Sequence, residues 1–155
     1  MTRKRIVPSL LAASFATVLA WATPASAQFA KPEDAIKYRQ SAFALMGAHM
    51  GRLAAMAQGK VPYDAQAAQH SAQIVDTMAK LPWEGFVPAT KSAKTGTRPA
   101  LYDNMDEVRQ LVERLNRETG QLVEAAGGLD TLRTQVGATG KACKACHDKY
   151  RDRDL

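Results

Sequence analysis

Near the C-terminal end of the chain the sequence reads Cys143-Lys144-Ala145-Cys146-His147. Two cysteines separated by two residues and followed at once by histidine is the spacing by which c-type haem is attached, each thiol adding across one vinyl group to form a thioether. On a helix, residues three apart share a face, so both sulfurs can reach the edge of one porphyrin. His147 then projects toward the iron as an axial ligand held by the bonds beside it. A zinc clip, a redox dithiol or a disulfide uses the same cysteines, but each lacks something here. Zinc needs two further ligands, and outside the motif the chain offers only His49 and His70 and no second cysteine pair. A thioredoxin-type dithiol needs a βαβ setting, and no strand pattern is visible.

Covalent haem attachment takes place outside the cytoplasm, and the other end of the chain carries an export signal. Residues 1–27 start with Arg3-Lys4-Arg5, pass through an apolar run from Leu10 to Trp21 and close on Ala25-Ser26-Ala27. That is the pattern of a cleaved secretory signal peptide. A membrane anchor is the competing reading, but Pro8 and Pro24 flank an apolar run that is short for a bilayer. Cleavage after Ala27 would leave one domain, residues 28–155, in the periplasm and not inserted in a membrane. The chain has 21 basic and 15 acidic residues; without the leader's three basic residues the surplus is small. The remaining basic residues are interleaved with acids along the sequence, so nucleic acid is not an expected partner.

The rest reads as four helical segments. The first follows Pro32-Glu33-Asp34, a start that suits a helix N-terminus, and runs to about Gln58. Ile36, Phe43, Met50 and Ala57 recur every seven residues, with Met46 and Leu53 between them, as in a bundle helix. The second opens near Pro62-Tyr63-Asp64, carries Ala67, Ile74, Met78 and Leu81, and stops at Pro82. From Pro82 to Pro99 helical periodicity gives way to a long loop. Its Trp83 and Phe86 are expected to pack back onto the bundle, or else to face a ligand. The third helix starts around Tyr102-Asp103, with Leu101, Met105, Val108, Val112, Leu115 and Leu122 at three- and four-residue steps, and ends at Gly127-Gly128. The fourth opens with Asp130 as N-cap and sets Leu132, Val136, Cys143 and Tyr150 on one stripe. The fold class is therefore all-α, an antiparallel four-helix bundle with haem near its C-terminus.

The leader, Tyr38-Arg39-Gln40, Leu81-Pro82-Trp83, Arg98-Pro99 and the terminal Cys-x-x-Cys-His-x-x-Tyr-Arg together resemble the cytochrome c′ family, the class II c-type cytochromes. The resemblance spans the whole mature chain. Cytochromes c′ are themselves a standard example of the up-down-up-down bundle, so that topology comes with the resemblance. It implies one covalent haem c per chain, bound through Cys143 and Cys146 with His147 on the iron. It also implies that the sixth position faces the residue four after Arg39, where low-spin relatives carry a ligating methionine. Here that residue is Phe43, whose ring offers no lone pair. The iron is then five-coordinate and high-spin under an apolar distal cover, suited to the neutral gases nitric oxide and carbon monoxide. The resemblance further places Arg39 and Gln40 beside the haem propionates and Arg151 in the proximal pocket, and pairs two chains through their first two helices as a homodimer.

Two other readings of the same residues remain. Met46 or Met50, further along the first helix, could ligate the iron instead, making a low-spin electron carrier that serves redox partner proteins. A peroxidase-like enzyme would need a distal acid-base histidine, which the first-helix stripe does not supply, so no enzyme activity is expected. Arg39 and Gln40 could form a surface salt bridge, and Arg151 could be a solvated charge at a helix end. His49 and His70 read as surface or interface residues, neither assigned to metal.

If both thioethers form, haem stays with the chain through denaturation and acid-acetone extraction, and a Cys143→Ala chain retains at most one link. Haem released into the acetone phase would contradict covalent attachment.

Overall fold

The computed structural model describes residues 28–152; the expected signal peptide lies outside the described residues. Among the described residues there are five α-helices, α1 (Pro32–Ala57), α2 (Ala65–Lys80), α3 (Ala100–Asp103), α4 (Met105–Ala125) and α5 (Leu129–Tyr150), with short 3₁₀ turns at Pro82–Gly85 and Pro88–Thr90. The four long helices pack in a cycle, α1 on α2, α2 on α4, α4 on α5 and α5 on α1, which is the expected up-down-up-down bundle. Among the described residues there is no strand, only an isolated antiparallel bridge between Thr97 and Arg151.

The helix ends follow local chemistry. Pro32 occupies the first turn of α1 with Glu33 and Asp34 beside it, where a missing N–H costs nothing and negative charge meets the positive end of the helix dipole. The other end closes on Gly59, whose φ of 69° lets its N–H reach Met56 O at 3.0 Å while Lys60 N–H reaches Ala55 O at 2.9 Å. This pair of bonds satisfies carbonyls the helix would leave open. Asp64 caps α2, accepting from Ala67 N–H at 2.9 Å. The cap of α5 differs from expectation: it is Gly128, in extended conformation. Thr131 Oγ1 donates to the Ala125 and Gly128 carbonyls at 2.7 and 2.9 Å, and Asp130 falls in the first turn, paired with Arg133 at 3.0 Å. The third segment is also split, because Asn104 leaves helical geometry and separates the single turn α3 from α4.

On two helices part of the sequence stripe sits one residue off the buried seam, while Met46 and Leu53 are buried as read. The buried seam of α1 is Ala35, Arg39, Ala42, Met46, His49, Leu53 and Met56, one position before Ile36, Phe43, Met50 and Ala57, which are only half-buried. On α2 the seam is Ala68, Ser71, Ala72, Val75 and Ala79, whereas Ala67 is exposed and Ile74, Met78 and Leu81 are half-buried. Small side chains let two helix backbones approach, and larger neighbours then wrap the contact. Met46, Leu53, Val75, Leu115, Leu122 and Leu132 form the main core. Leu101, Val108 and Tyr150 centre a second cluster at the end where α3 and the loop sit.

The loop is seated tightly on α1. A Cβ placed on Gly85 would lie 2.7 Å from Ala35 O and 3.0 Å from Arg39 Cβ, closer than packed atoms tolerate. Gly85→Ala is therefore expected to destabilise the fold by about 1 to 3 kcal/mol, the range for overpacking. The matched change Gly137→Ala in α5, where an added Cβ meets nothing within 4 Å, should instead stabilise by about 0.5 to 1 kcal/mol. Urea melts of both variants check this; equal effects would mean that the loop seat is not tight.

Candidate functional site

α5 continues without a break through the cysteine motif to Tyr150, because the loop supplies partners for its last carbonyls. Arg98 N–H donates to Tyr150 O at 2.8 Å, Arg151 N–H to His147 O at 3.1 Å, and Asp152 N–H to Gly96 O at 3.0 Å. Arg98 Nη1 also reaches the carbonyls of Asp148 and Lys149, at 3.5 and 3.4 Å. Arg151 itself has left the helix, with φ −97° and ψ 126°.

Cys143, Cys146 and His147 line one side of a cavity of about 700 Å³, within the rough 300 to 1,000 Å³ of small-molecule and cofactor sites. Both thiols are free and half-buried. Burial pushes each above the usual thiol range, and for Cys146 the neighbouring Cys143 and Glu107 add to it. The opposite wall comes from α1, with Phe43, Met46 and Met50 along it, while Trp83 and Phe86 of the loop complete it. Phe43 meets Trp83 edge-on with centroids 5.7 Å apart and Phe86 at 6.3 Å. Trp83 is fixed in turn by its indole N–H, which donates to Ala79 O at 2.6 Å. The structure thus joins the two expectations for Trp83 and Phe86: both pack on the bundle and both face the cavity.

Arg39, expected at the haem edge or in a surface salt bridge, is 2% exposed, which removes the surface salt-bridge reading. Its Nη1 donates to Gly85 O (2.7 Å), Thr90 Oγ1 (2.8 Å) and Tyr102 OH (3.1 Å), its Nη2 to Thr95 Oγ1 (3.4 Å), and its plane lies 4.5 Å from the Phe86 centroid. Those partners are all neutral, and among the described residues Arg39 forms no ion pair. A buried guanidinium facing a cavity without a carboxylate calls for an anion. Two helix-borne thiols, an adjacent imidazole, an apolar wall and this cation fit a porphyrin with acidic side chains. A zinc site fits less well, since among the described residues no three His, Cys, Asp or Glu are grouped to hold a metal ion.

The other expected positions are less constrained. Gln40 is exposed and borders the cavity, and Arg151, also exposed, lines its rim. His49 is buried rather than on the surface, its Nδ1 3.3 Å from Ser71 Oγ in the α1–α2 seam. Burial, then Arg52 and His70, lower its pKa, and neither histidine lines the cavity. A pair behind the motif was not legible from spacing: Tyr150 OH donates to Glu107 Oε2 at 2.5 Å. Lys149 holds the same carboxylate. These bonds hold Glu107 below the usual carboxylate range and push Tyr150 to about 12. The contact therefore stabilises the fold from mildly acidic pH up to about 10; it is lost as pH falls through the lowered Glu107 pKa or rises through about 12.

A helical bundle with a Cys-x-x-Cys-His turn at the end of its last helix, opening on a cofactor-sized cavity, defines a haem protein of c type. A family model described as Cytochrome C' matches residues 34–151, and the chain belongs to that family. It is 42% identical to cytochrome c′ of Rubrivivax gelatinosus over 129 residues, covering 81% of this chain and 100% of the relative. A crystal structure of that relative matches with a TM-score of 0.76, at 41% identity and 81% and 100% coverage. The nitric oxide complex of a leucine-to-alanine mutant of cytochrome c prime from Alcaligenes xylosoxidans matches at TM-score 0.75, 40% identity, and 81% and 99% coverage. A carbon monoxide-bound leucine-to-glycine variant from the same organism matches at 0.75 and 40%, covering 81% and 100%. Proteins of this family carry covalently bound haem c, and that is the cofactor of this chain.

Proposed function

We propose that this chain is a periplasmic, monohaem, five-coordinate high-spin cytochrome that takes up nitric oxide and carbon monoxide, and acts as a scavenger or carrier of nitric oxide rather than as an enzyme. Cys143 and Cys146 hold the haem, and His147 serves as the axial ligand. The bound haem supplies an iron with one position open to a diatomic ligand. The observation that carries the reading is the Phe43 ring at the cavity wall, braced by Trp83 and Phe86. A ring without a lone pair keeps water and anions away, and a small neutral gas enters only by displacing it. Arg39 and Gln40 lie on the propionate side, and Arg151 on the rim beside His147. The gas complexes of two variants of the Alcaligenes xylosoxidans relative support this reading. Among the described residues no helix is long and apolar enough to cross a membrane.

A second copy fits the outer face of α1 and α2. Leu45 is 50% exposed there, beside a shallow groove lined by Phe29, Tyr38, Met78 and Leu81. That groove supports a homodimer through the first two helices.

Phe43→Ala should raise carbon monoxide affinity well above wild type, each ~1.4 kcal/mol of relieved strain giving about tenfold. It should also lower stability, by at most the roughly 3 to 5 kcal/mol of a fully buried phenylalanine. Phe43→Met places a thioether at the same wall and should shift part of the iron to low spin. Titration of the ferrous variants with carbon monoxide checks both; unchanged affinity in Phe43→Ala would remove Phe43 from the distal face.

A further inference from the structure

Along the sequence the basic residues look evenly mixed with acids, but the fold sorts them. Residues 85–100 and 137–152 together carry seven basic residues (Lys91, Lys94, Arg98, Lys141, Lys144, Lys149 and Arg151) and two acids, Asp148 and Asp152. Residues 28–84 and 101–136 carry ten basic and twelve acidic. The basic surplus of the described chain therefore lies wholly in two segments that are distant in sequence. The fold sets them side by side, through the Thr97–Arg151 bridge and the Arg98 N–H to Tyr150 O bond. Both segments supply residues to the haem cavity, Thr95, Gly96 and Thr97 from one and Gly140, His147 and Arg151 from the other. Of the seven basic residues Arg151 lines it directly, Lys94, Arg98 and Lys141 lie within four residues of lining positions, and Lys149 is turned toward Glu107.

Every one of the seven basic side chains is exposed. Asp103, Asp148 and Glu107 engage Lys91, Lys144 and Lys149. Among the described residues Lys94, Arg98, Lys141 and Arg151 form no ion pair. Charge of one sign around a cleft focuses the field and steers an oppositely charged partner to the opening. The rim lacks the means to enter a bilayer, because the large exposed apolar residues, Leu45, Val61 and Met105, all lie off it.

We propose that this basic rim is the docking surface for an acidic one-electron carrier protein. A haem iron that binds carbon monoxide must be ferrous, so an electron has to reach it from outside. In the docked pair one electron passes from the reduced carrier to ferric iron, the carrier is oxidised, and neither a proton nor an atom is exchanged. The rim needs only that haem be attached and reducible. The need for an electron rests on the proposed gas-binding reading, which the carbon monoxide titration tests separately from docking.

The test uses the holoprotein and flavodoxin, an acidic flavoprotein, as probe. Association is followed by calorimetry at ionic strengths from about 20 to 300 mM, and the contact is mapped by amide chemical shifts. Binding should weaken at least about tenfold across that range, with shifts confined to residues 91–98 and 141–151. Lys94→Gln/Lys141→Gln should weaken binding about tenfold at low salt while leaving the haem absorption spectrum unchanged. Lys60→Gln/Arg117→Gln, with the same loss of net charge outside the rim, should change it less than about twofold. Three outcomes would overturn the proposal: salt-independent binding, equal losses in the two double variants, or a footprint elsewhere. So would binding to phosphatidylserine vesicles with none to flavodoxin.

Discussion

The Arg39 guanidinium holds the cavity together. A charge removed from water costs several kcal/mol unless its N–H groups are bonded, and here a glycine carbonyl, two threonine hydroxyls and a tyrosine hydroxyl share the task. All four belong to the segment between α2 and α4, so one side chain on α1 ties that segment to the bundle. Trp83 and Phe86 are carried in with it, and they brace Phe43 one turn further along α1. The seat of the loop, the aromatic wall and the charge facing the cofactor therefore rest on the same residue. Thr90 reinforces the arrangement by exchanging a 2.6 Å hydrogen bond with Tyr102 OH.

The local features of this molecule could be read from its sequence, and the non-local ones could not. Cys143, Cys146 and His147 are neighbours in sequence, so their chemistry was legible from spacing, and Pro32, Gly59 and Asp64 marked helix ends by their own conformational limits. The register of α1 and α2 was legible only in part: Met46 and Leu53 are in the seam as read, but an alanine seam carries little hydrophobic signal, so Phe43 and Met50 on α1 and Ala67, Ile74 and Met78 on α2 were placed one residue over. Phe43 and Met50 are half-buried because they face the cavity, so the misregister on α1 itself marked the site. Arg39 was placed at the haem edge by resemblance, but its burial and its partners, 46 to 63 positions away, were not legible. The basic rim was hidden in the same way: Lys94 and Lys141 come together only when the loop pairs with the end of α5.

The two walls of the cavity divide the labour. The α5 wall carries the thiols and His147, and its last turn is stiffened by Glu107, Tyr150 and the carbonyl bonds from the loop. The α1 wall is apolar and packed, and it sets what can approach from the other side. Substitutions on the first wall should act on attachment and the iron's electronic state, and those on the second on access.

The most direct test is the resonance Raman spectrum of the unmodified ferrous protein. An iron–histidine stretch with high-spin, five-coordinate marker bands is the predicted result, meaning that His147 is bound and Phe43 leaves the opposite position empty. A six-coordinate, low-spin spectrum would contradict it and would place Met46 or Met50 on the iron.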